Sequence, residues 1–349
     1  MPDVAREEIV AAIAVLAVVA YAVLGGADFG GGVWDVLSRG PRKADERAAI
    51  ARAMGPVWEA NHVWLIFLIV VLFTAFPAAY AALSVGLFVP FHLVLVGIVL
   101  RGGAFVFRAH QAHEGARDAP AGHAPASGAD GGEAGAADAF AIDSAPARAW
   151  GVVFGGASVI TPLLLGMSLG AVSCAGLVWR APLAAAIGVL AVATCAYLAA
   201  VYLTVATSGE LREAFRVKAL AASAVVAVLA GVALVLTRRD APHLWAGLTS
   251  ARAAKVVAAG VGVAIASRAA LVRRRFHVAR ALAAGEVALL LVGWALAQQP
   301  YLVYPDLTLS RAAAPAATLD FVLATLPVFV VLILPSLAYL FSVFAPRRA

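Results

Sequence analysis

The chain is 349 residues long, 63% hydrophobic and only 13% charged, with a mean hydropathy of +0.92. A soluble domain carries roughly a quarter charged residues, so this composition excludes one and points to a membrane. The net charge of +6 comes from basic residues scattered over loops, which fits membrane orientation and gives no basic surface for nucleic acid.

Apolar runs able to cross a hydrocarbon core of roughly 30 Å as helices are read at 9–27, 57–80, 84–106, 150–172, 183–206, 217–237, 253–271, 279–297 and 319–344. The first follows Asp3, Glu7 and Glu8 rather than a basic segment, and no small-residue cleavage site comes after it. It is read as a retained helix and not a signal peptide. Its end is set at Gly25–Gly32, with Asp28 among the glycines. No strand–turn–helix unit or Lys-Ser/Thr pair follows, so this is not a phosphate loop. Asp28 either caps the structure there or joins a proton path.

The second run opens on Gly55-Pro56-Val57-Trp58-Glu59-Ala60-Asn61-His62-Val63-Trp64-Leu65. An acid, an amide, an imidazole and two indoles beside a spanning segment are expensive, and function is the default reason for such a cluster. Trp58 and Trp64 also suit interfacial anchoring. Glu59, at the mouth of the helix, can exchange protons with water, and burial would raise its pKa toward reversible protonation. Asn61 could hydrogen-bond Glu59 or a water, and His62 could titrate near neutrality. In the third run Arg101 lies among apolar residues, so it must either snorkel or pair with Glu59 or Asp28.

Residues 109–149, rich in Ala, Gly, Pro and Asp without apolar periodicity, read as a disordered connection. The chain is therefore one integral membrane domain: residues 1–108 with the motifs, the loop 109–149, and helices over 150–349. Cys174 and Cys195 have no metal-ligand spacing and read as small buried hydrophobes. His62 and His92 are not read as haem ligands, and no metal site is assigned. Glu286 lies inside the eighth helix with no evident partner. The segment Gln298–Thr318 reads as a rigid aromatic collar containing Tyr301, Tyr304 and Pro305. Placing the N-terminus outside and the C-terminus inside puts three times as many Lys and Arg in inward loops as in outward ones.

Four segments together resemble subunit II of the cytochrome bd quinol oxidases. They are Gly25–Val33, the Gly55–Leu65 motif followed by Phe73-Thr74-Ala75-Phe76-Pro77 and Tyr80-Ala81, Leu100–Arg108, and Thr207–Leu211 with the distal Tyr304-Pro305 loop. The resemblance implies an all-α polytopic protein of nine transmembrane helices, arranged as two four-helix bundles and a peripheral helix. It implies a heterodimer with a haem-bearing subunit I in a bacterial cytoplasmic membrane, with two haem b and one haem d all in that partner. Quinol oxidation and O₂ reduction would belong to the complex, and small accessory subunits could join it. Glu59 would serve a proton-entry path, supported by Asn61, His62, Asp28 and Arg101; the family position is often Asp, so Glu here lengthens the arm. Trp58 and Arg101 could flank a quinone. The rival readings are a secondary transporter, which should show broken helices in repeated halves, and a self-sufficient b-type cytochrome, which needs facing axial ligands.

Overall fold

The computed structural model of the protein describes residues 5–117 and 145–343. Helix α1 spans Arg6–Leu37, ten residues beyond its expected end. The glycines read as a terminator lie inside the helix because other backbones press on them. A Cβ on Gly30 would sit 1.9 Å from the Cys195 carbonyl oxygen, and one on Gly32 2.1 Å from Ser158 Oγ. Small residues at such crossings let helices approach closely, which is how packing is gained where lipid offers no hydrophobic drive. The chain leaves the helix through Ser38 and turns at Gly40 with φ +81°.

Helix α2, Lys43–Ala75, begins well before the expected residue 57. Its first turns hold Lys43, Asp45, Glu46 and Arg47, a charged segment that reads as loop by hydropathy but is helical. It breaks at Phe76, and α3 (Pro77–Gly86) departs at 118° to it. Pro77 stands at the first position of the new helix, where its missing N–H costs nothing. Helix α4 runs Phe88–Arg117 and α5 Ala145–Val172. The connection expected over 109–149 is thus helical at both margins, and residues 118–144 lie outside the described part.

The second half contains α6 (Pro182–Ala206), α7 (Gly209–Asp240), the short α8 (Pro242–Leu248), α9 (Ala251–Val272) and α10 (Phe276–Gln298). A small antiparallel pair, β1 (Tyr301–Val303) and β2 (Leu307–Thr308), lies within the segment read as an aromatic collar. Then come α11 (Leu309–Ala312) and α12 (Ala316–Val343). Among the described residues eight helices are long and apolar enough to span a membrane, and nine if the bent pair α2–α3 counts as one.

Helix α1 packs against α2, α5 and α6; α5 also meets α4, and α6 and α7 pair along their lengths, as do α9 and α10. Helix α12 touches α2 and α1, and beyond Leu319 near its start it is little buried, so it sits at the edge. The main core, including Tyr197, Leu198, Ala219, Leu271 and Val287, joins α6, α7, α9 and α10. Exposed apolar residues such as Val85, Phe88, Val99 and Val331 cost nothing against lipid tails of the same polarity.

Candidate functional site

Asp28 is the centre of the polar site. It lies in the middle of α1 and is 1% exposed, where an isolated charge would be prohibitive. Arg101 on α4, 4% exposed, meets it in a two-pronged pair: Nη2 donates to Oδ1 at 2.7 Å and Nη1 to Oδ2 at 2.8 Å. Nη2 also donates to the Asp28 carbonyl at 3.0 Å, and Nε donates to Ser158 Oγ on α5 at 2.9 Å. The planar guanidinium is matched to this forked geometry. The rings of Phe29 and Phe154 hold the cation from either side, 5.1 and 4.8 Å from their centroids. Of the two open readings of Arg101, pairing with Asp28 is the one adopted; the residue does not snorkel.

Asn61 on α2 completes the group. Its Nδ2 donates to Asp28 Oδ2 at 3.0 Å, which fixes the amide orientation. Its carbonyl oxygen is then left buried and without a hydrogen-bond partner among the described residues. An unsatisfied buried acceptor costs about 1–3 kcal/mol, so this oxygen is a natural seat for a water or a passing proton donor. Four helices, α1, α2, α4 and α5, therefore meet in one polar knot of Asp28, Asn61, Arg101 and Ser158.

Glu59 and Trp58 belong to α2, but their side chains lie outside the described residues. The backbone nevertheless bears on two expectations. Glu59 is sixteen residues past the start of α2, so it is not at a helix N-terminus, and that reading is corrected. Positions two apart on a helix are about 200° around its axis and do not face each other. Glu59 and Asn61 therefore occupy opposite sides of α2, and a direct bond between them is not favoured. His62, three residues on, shares the side of Glu59 and is half-buried. Trp64 packs edge-on against Phe67 and Phe329 of α12 and acts in packing.

The Arg101 guanidinium is committed to Asp28 and Ser158 and lies against the Phe29 and Phe154 rings, and Trp58, its expected companion at a quinone, has its side chain outside the described residues. An apolar crevice of about 740 Å³ lies nearby, lined by Val15, Val19, Leu68, Leu165 and Leu290, and Arg101 does not line it.

Several residues escaped sequence reading. Ser158 looks like an ordinary small helix residue, and only its contact with Gly32 and Arg101 marks it. At the basic end of the bundle Asp35, fully buried and two turns beyond Asp28 on α1, pairs with Arg47 at 3.2 Å. Beside it Glu46 pairs with Lys218 of α7 at 2.7 Å, and the ammonium lies over the Trp34 and Phe215 rings. The seven-residue spacing of Asp28 and Asp35 was the available signal.

His92 is exposed and bonds the Phe88 carbonyl at 2.7 Å. His243 on α8 stacks on Tyr304 at 3.7 Å and meets Gln298. Burial lowers its pKa, partly offset by the Gln298 bond. Among the described residues no group of three His, Cys, Asp or Glu could hold a metal ion. Both cysteines are free and buried.

The fold and this knot define an all-α polytopic membrane protein with a buried ion pair at the meeting of four helices. The chain belongs to the cytochrome bd terminal oxidase subunit II family, whose model matches residues 6–121 and 138–344. It is 41% identical over 68 residues to cytochrome bd ubiquinol oxidase subunit 2 of Bacillus subtilis, covering 20% of each chain. It is 36% identical over 91 residues to cytochrome bd-I ubiquinol oxidase subunit 2 of Escherichia coli, covering 26% of this chain and 23% of the relative. The aligned segments thus span about a quarter or less of these relatives. In fold it is similar to a chain of the bd oxidase from Geobacillus thermodenitrificans, with a TM-score of 0.70 at 19% identity over 98% of this chain and 99% of that one.

Proposed function

We propose that the chain is the non-haem subunit of a bd-type quinol:O₂ oxidoreductase, pairing with a haem-bearing subunit I in the bacterial cytoplasmic membrane. The complex would hold two haem b and one haem d in the partner, oxidise quinol and reduce O₂ to water. In this reading the N-terminus is outside and the C-terminus inside, so the end carrying Arg47 and Lys218 faces the cytoplasm. The helices group as two four-helix bundles with α12 peripheral.

The observation that carries the reading is the Asp28–Arg101–Asn61–Ser158 knot, in which the Asn61 carbonyl has no partner among the described residues. Both Asp28 oxygens already accept bonds from Arg101 and Asn61, so Asp28 acts as a positioning acceptor and not as a carrier. It holds α2, the helix that carries Glu59, at a fixed rotation against α1. Glu59 then takes protons from cytoplasmic water and passes them to the partner, with His62 on the same side able to assist. Protons released at the outer face and consumed from the inner one generate proton-motive force without a pump. The haem chemistry belongs to the partner; this chain positions helices and moves protons.

The test is to purify the chain through a tag from its native membrane and record a reduced-minus-oxidised spectrum. Haem bands from a co-purifying second chain, with quinol-dependent O₂ uptake, are expected. Haem held by this polypeptide alone, or solute transport by it without haem, would overturn the proposal.

A further inference from the structure

Five cations gather at one end of the second half of the chain. Arg180 lies between α5 and α6, Arg238 and Arg239 are in the last turn of α7, and Arg252 and Lys255 are in the first turns of α9. The elements that carry them meet there. The Leu183 amide at the head of α6 donates to Asp240 Oδ2 at the foot of α7 at 2.9 Å, and the seven-residue α8 ties α7 to α9. Asp240 is the one carboxylate in residues 173–183 and 237–261. One of its oxygens serves that cap, and the other lies 3.8 Å from Arg239. Arg180, Arg238, Arg252 and Lys255 are exposed and make no ion pair among the described residues. In the orientation proposed above this is the outer end, where Lys and Arg are scarce, so the cluster needs a reason of its own.

Two of these cations are held in place by indoles. The Arg180 guanidinium stands over the Trp179 ring, 4.6 Å from its centroid, and that of Arg238 over the Trp245 ring at 5.3 Å. Indoles gather where hydrocarbon gives way to headgroups, so both cations are anchored at that level. A guanidinium over a ring keeps N–H groups free to donate, and their forked geometry matches a phosphate. Further into the membrane the same helices are apolar. Positions 228, 232, 235 and 239 share one stripe of α7, so Arg239 heads Val228, Val232 and Val235, which are 66%, 45% and 67% exposed. Helix α9 likewise exposes Val261 and Ile265 further along from Arg252 and Lys255. Those side chains suit contact with lipid tails, while the cations at their head call for anions. An anionic phospholipid meets both demands with one molecule.

We propose that Arg180, Arg238, Arg239, Arg252 and Lys255 form a binding surface for anionic phospholipids of the leaflet at that end, with lipid phosphates on the cations and acyl chains along the exposed faces of α7 and α9. This surface depends neither on the role of Glu59 nor on the oxidase reaction.

Photolabelling of the assembled complex in phosphatidylcholine nanodiscs tests it, with a trace of phosphatidylglycerol or phosphatidylcholine carrying a photoreactive acyl chain. Mass-mapped adducts of the phosphatidylglycerol probe should concentrate on the turns of α7 and α9 next to the cations and exceed those of the phosphatidylcholine probe there. In the triple variant Arg238→Gln, Arg239→Gln, Lys255→Gln they should fall by roughly tenfold or more, since each Lys or Arg near an anionic lipid surface contributes about fivefold. Unlabelled phosphatidylglycerol should displace the probe, and inorganic phosphate in large excess should not. Equal labelling by the two probes, displacement by inorganic phosphate, or adducts unchanged in the triple variant would overturn the proposal. Should the triple variant fail to assemble, the single variants Arg238→Gln and Lys255→Gln decide the matter: a loss of about fivefold in each supports the surface, and unchanged adducts refute it.

Discussion

Replacing Arg101 by Met keeps the stem's volume and removes the charge. Asp28, 1% exposed, would then lose three of its bonds and keep only Asn61. Breaking a buried pair by removing one partner costs about 3–5 kcal/mol, and Ser158 Oγ loses its Arg101 donor besides. Asp28→Leu leaves the guanidinium uncompensated and should cost a similar amount. The double variant removes both charges and leaves a packed apolar site flanked by Phe29 and Phe154. It should therefore be less destabilised than either single variant, with a coupling of several kcal/mol. Denaturant titration of the assembled complex in detergent, scored by retention of this chain with its partner, measures all three. Additive losses, with the double variant near the sum of the singles, would refute the view that the pair is one electrostatic unit.

Gly30→Ala should weaken the α1–α6 crossing by about 1–3 kcal/mol, the usual cost of overpacking, because its Cβ would meet the Cys195 carbonyl at 1.9 Å. Gly103→Ala, with nothing within 4 Å, should be neutral or slightly stabilising; yields of assembled complex compare the two. The Cys174 thiol is pushed up to about 11 by burial and by Asp240. Maleimide labelling should therefore be slow at pH 8 and climb with pH, and Asp240→Asn should speed it; a pH-independent rate would contradict this. His243 has its pKa lowered by burial, so the folded state favours the neutral ring. Its stabilising contribution is present above the unfolded value of about 6.5 and is lost as pH falls below it. Hydrogen-exchange protection factors over residues 300–308, taken relative to the intrinsic rate at each pH, should fall on acidification through that range, and His243→Gln should flatten the response.

Much of the fold was legible in the sequence because a spanning helix is an unbroken apolar run, and nothing else satisfies its backbone in lipid. Arg101 also announced its need of a partner, and Asp28 was one of two candidates. What failed was local. The glycines around Asp28 read as a terminator by propensity, yet tertiary contact with Cys195, Ala199 and Ser158 makes them the only residues that fit within a helix there. The charged start of α2 read as loop because hydropathy sees water, while its carboxylates in the first turn favour a helix N-terminus. Phe76-Pro77 carried a legible break that the apolar run concealed. Ser158 had no signal at all, since a serine's role depends on what four helices bring to it.

The central claim is that an acid on α2 feeds protons to a centre owned by another chain, and Glu59→Gln in the assembled complex reconstituted in vesicles tests it most directly. Haem spectra should be unchanged, while quinol-driven O₂ reduction and inner-side proton uptake slow together by roughly 10²-fold, the lower end of what a positioned proton donor contributes; Glu59→Asp should restore much of both. Full turnover with normal proton uptake in Glu59→Gln would contradict the account.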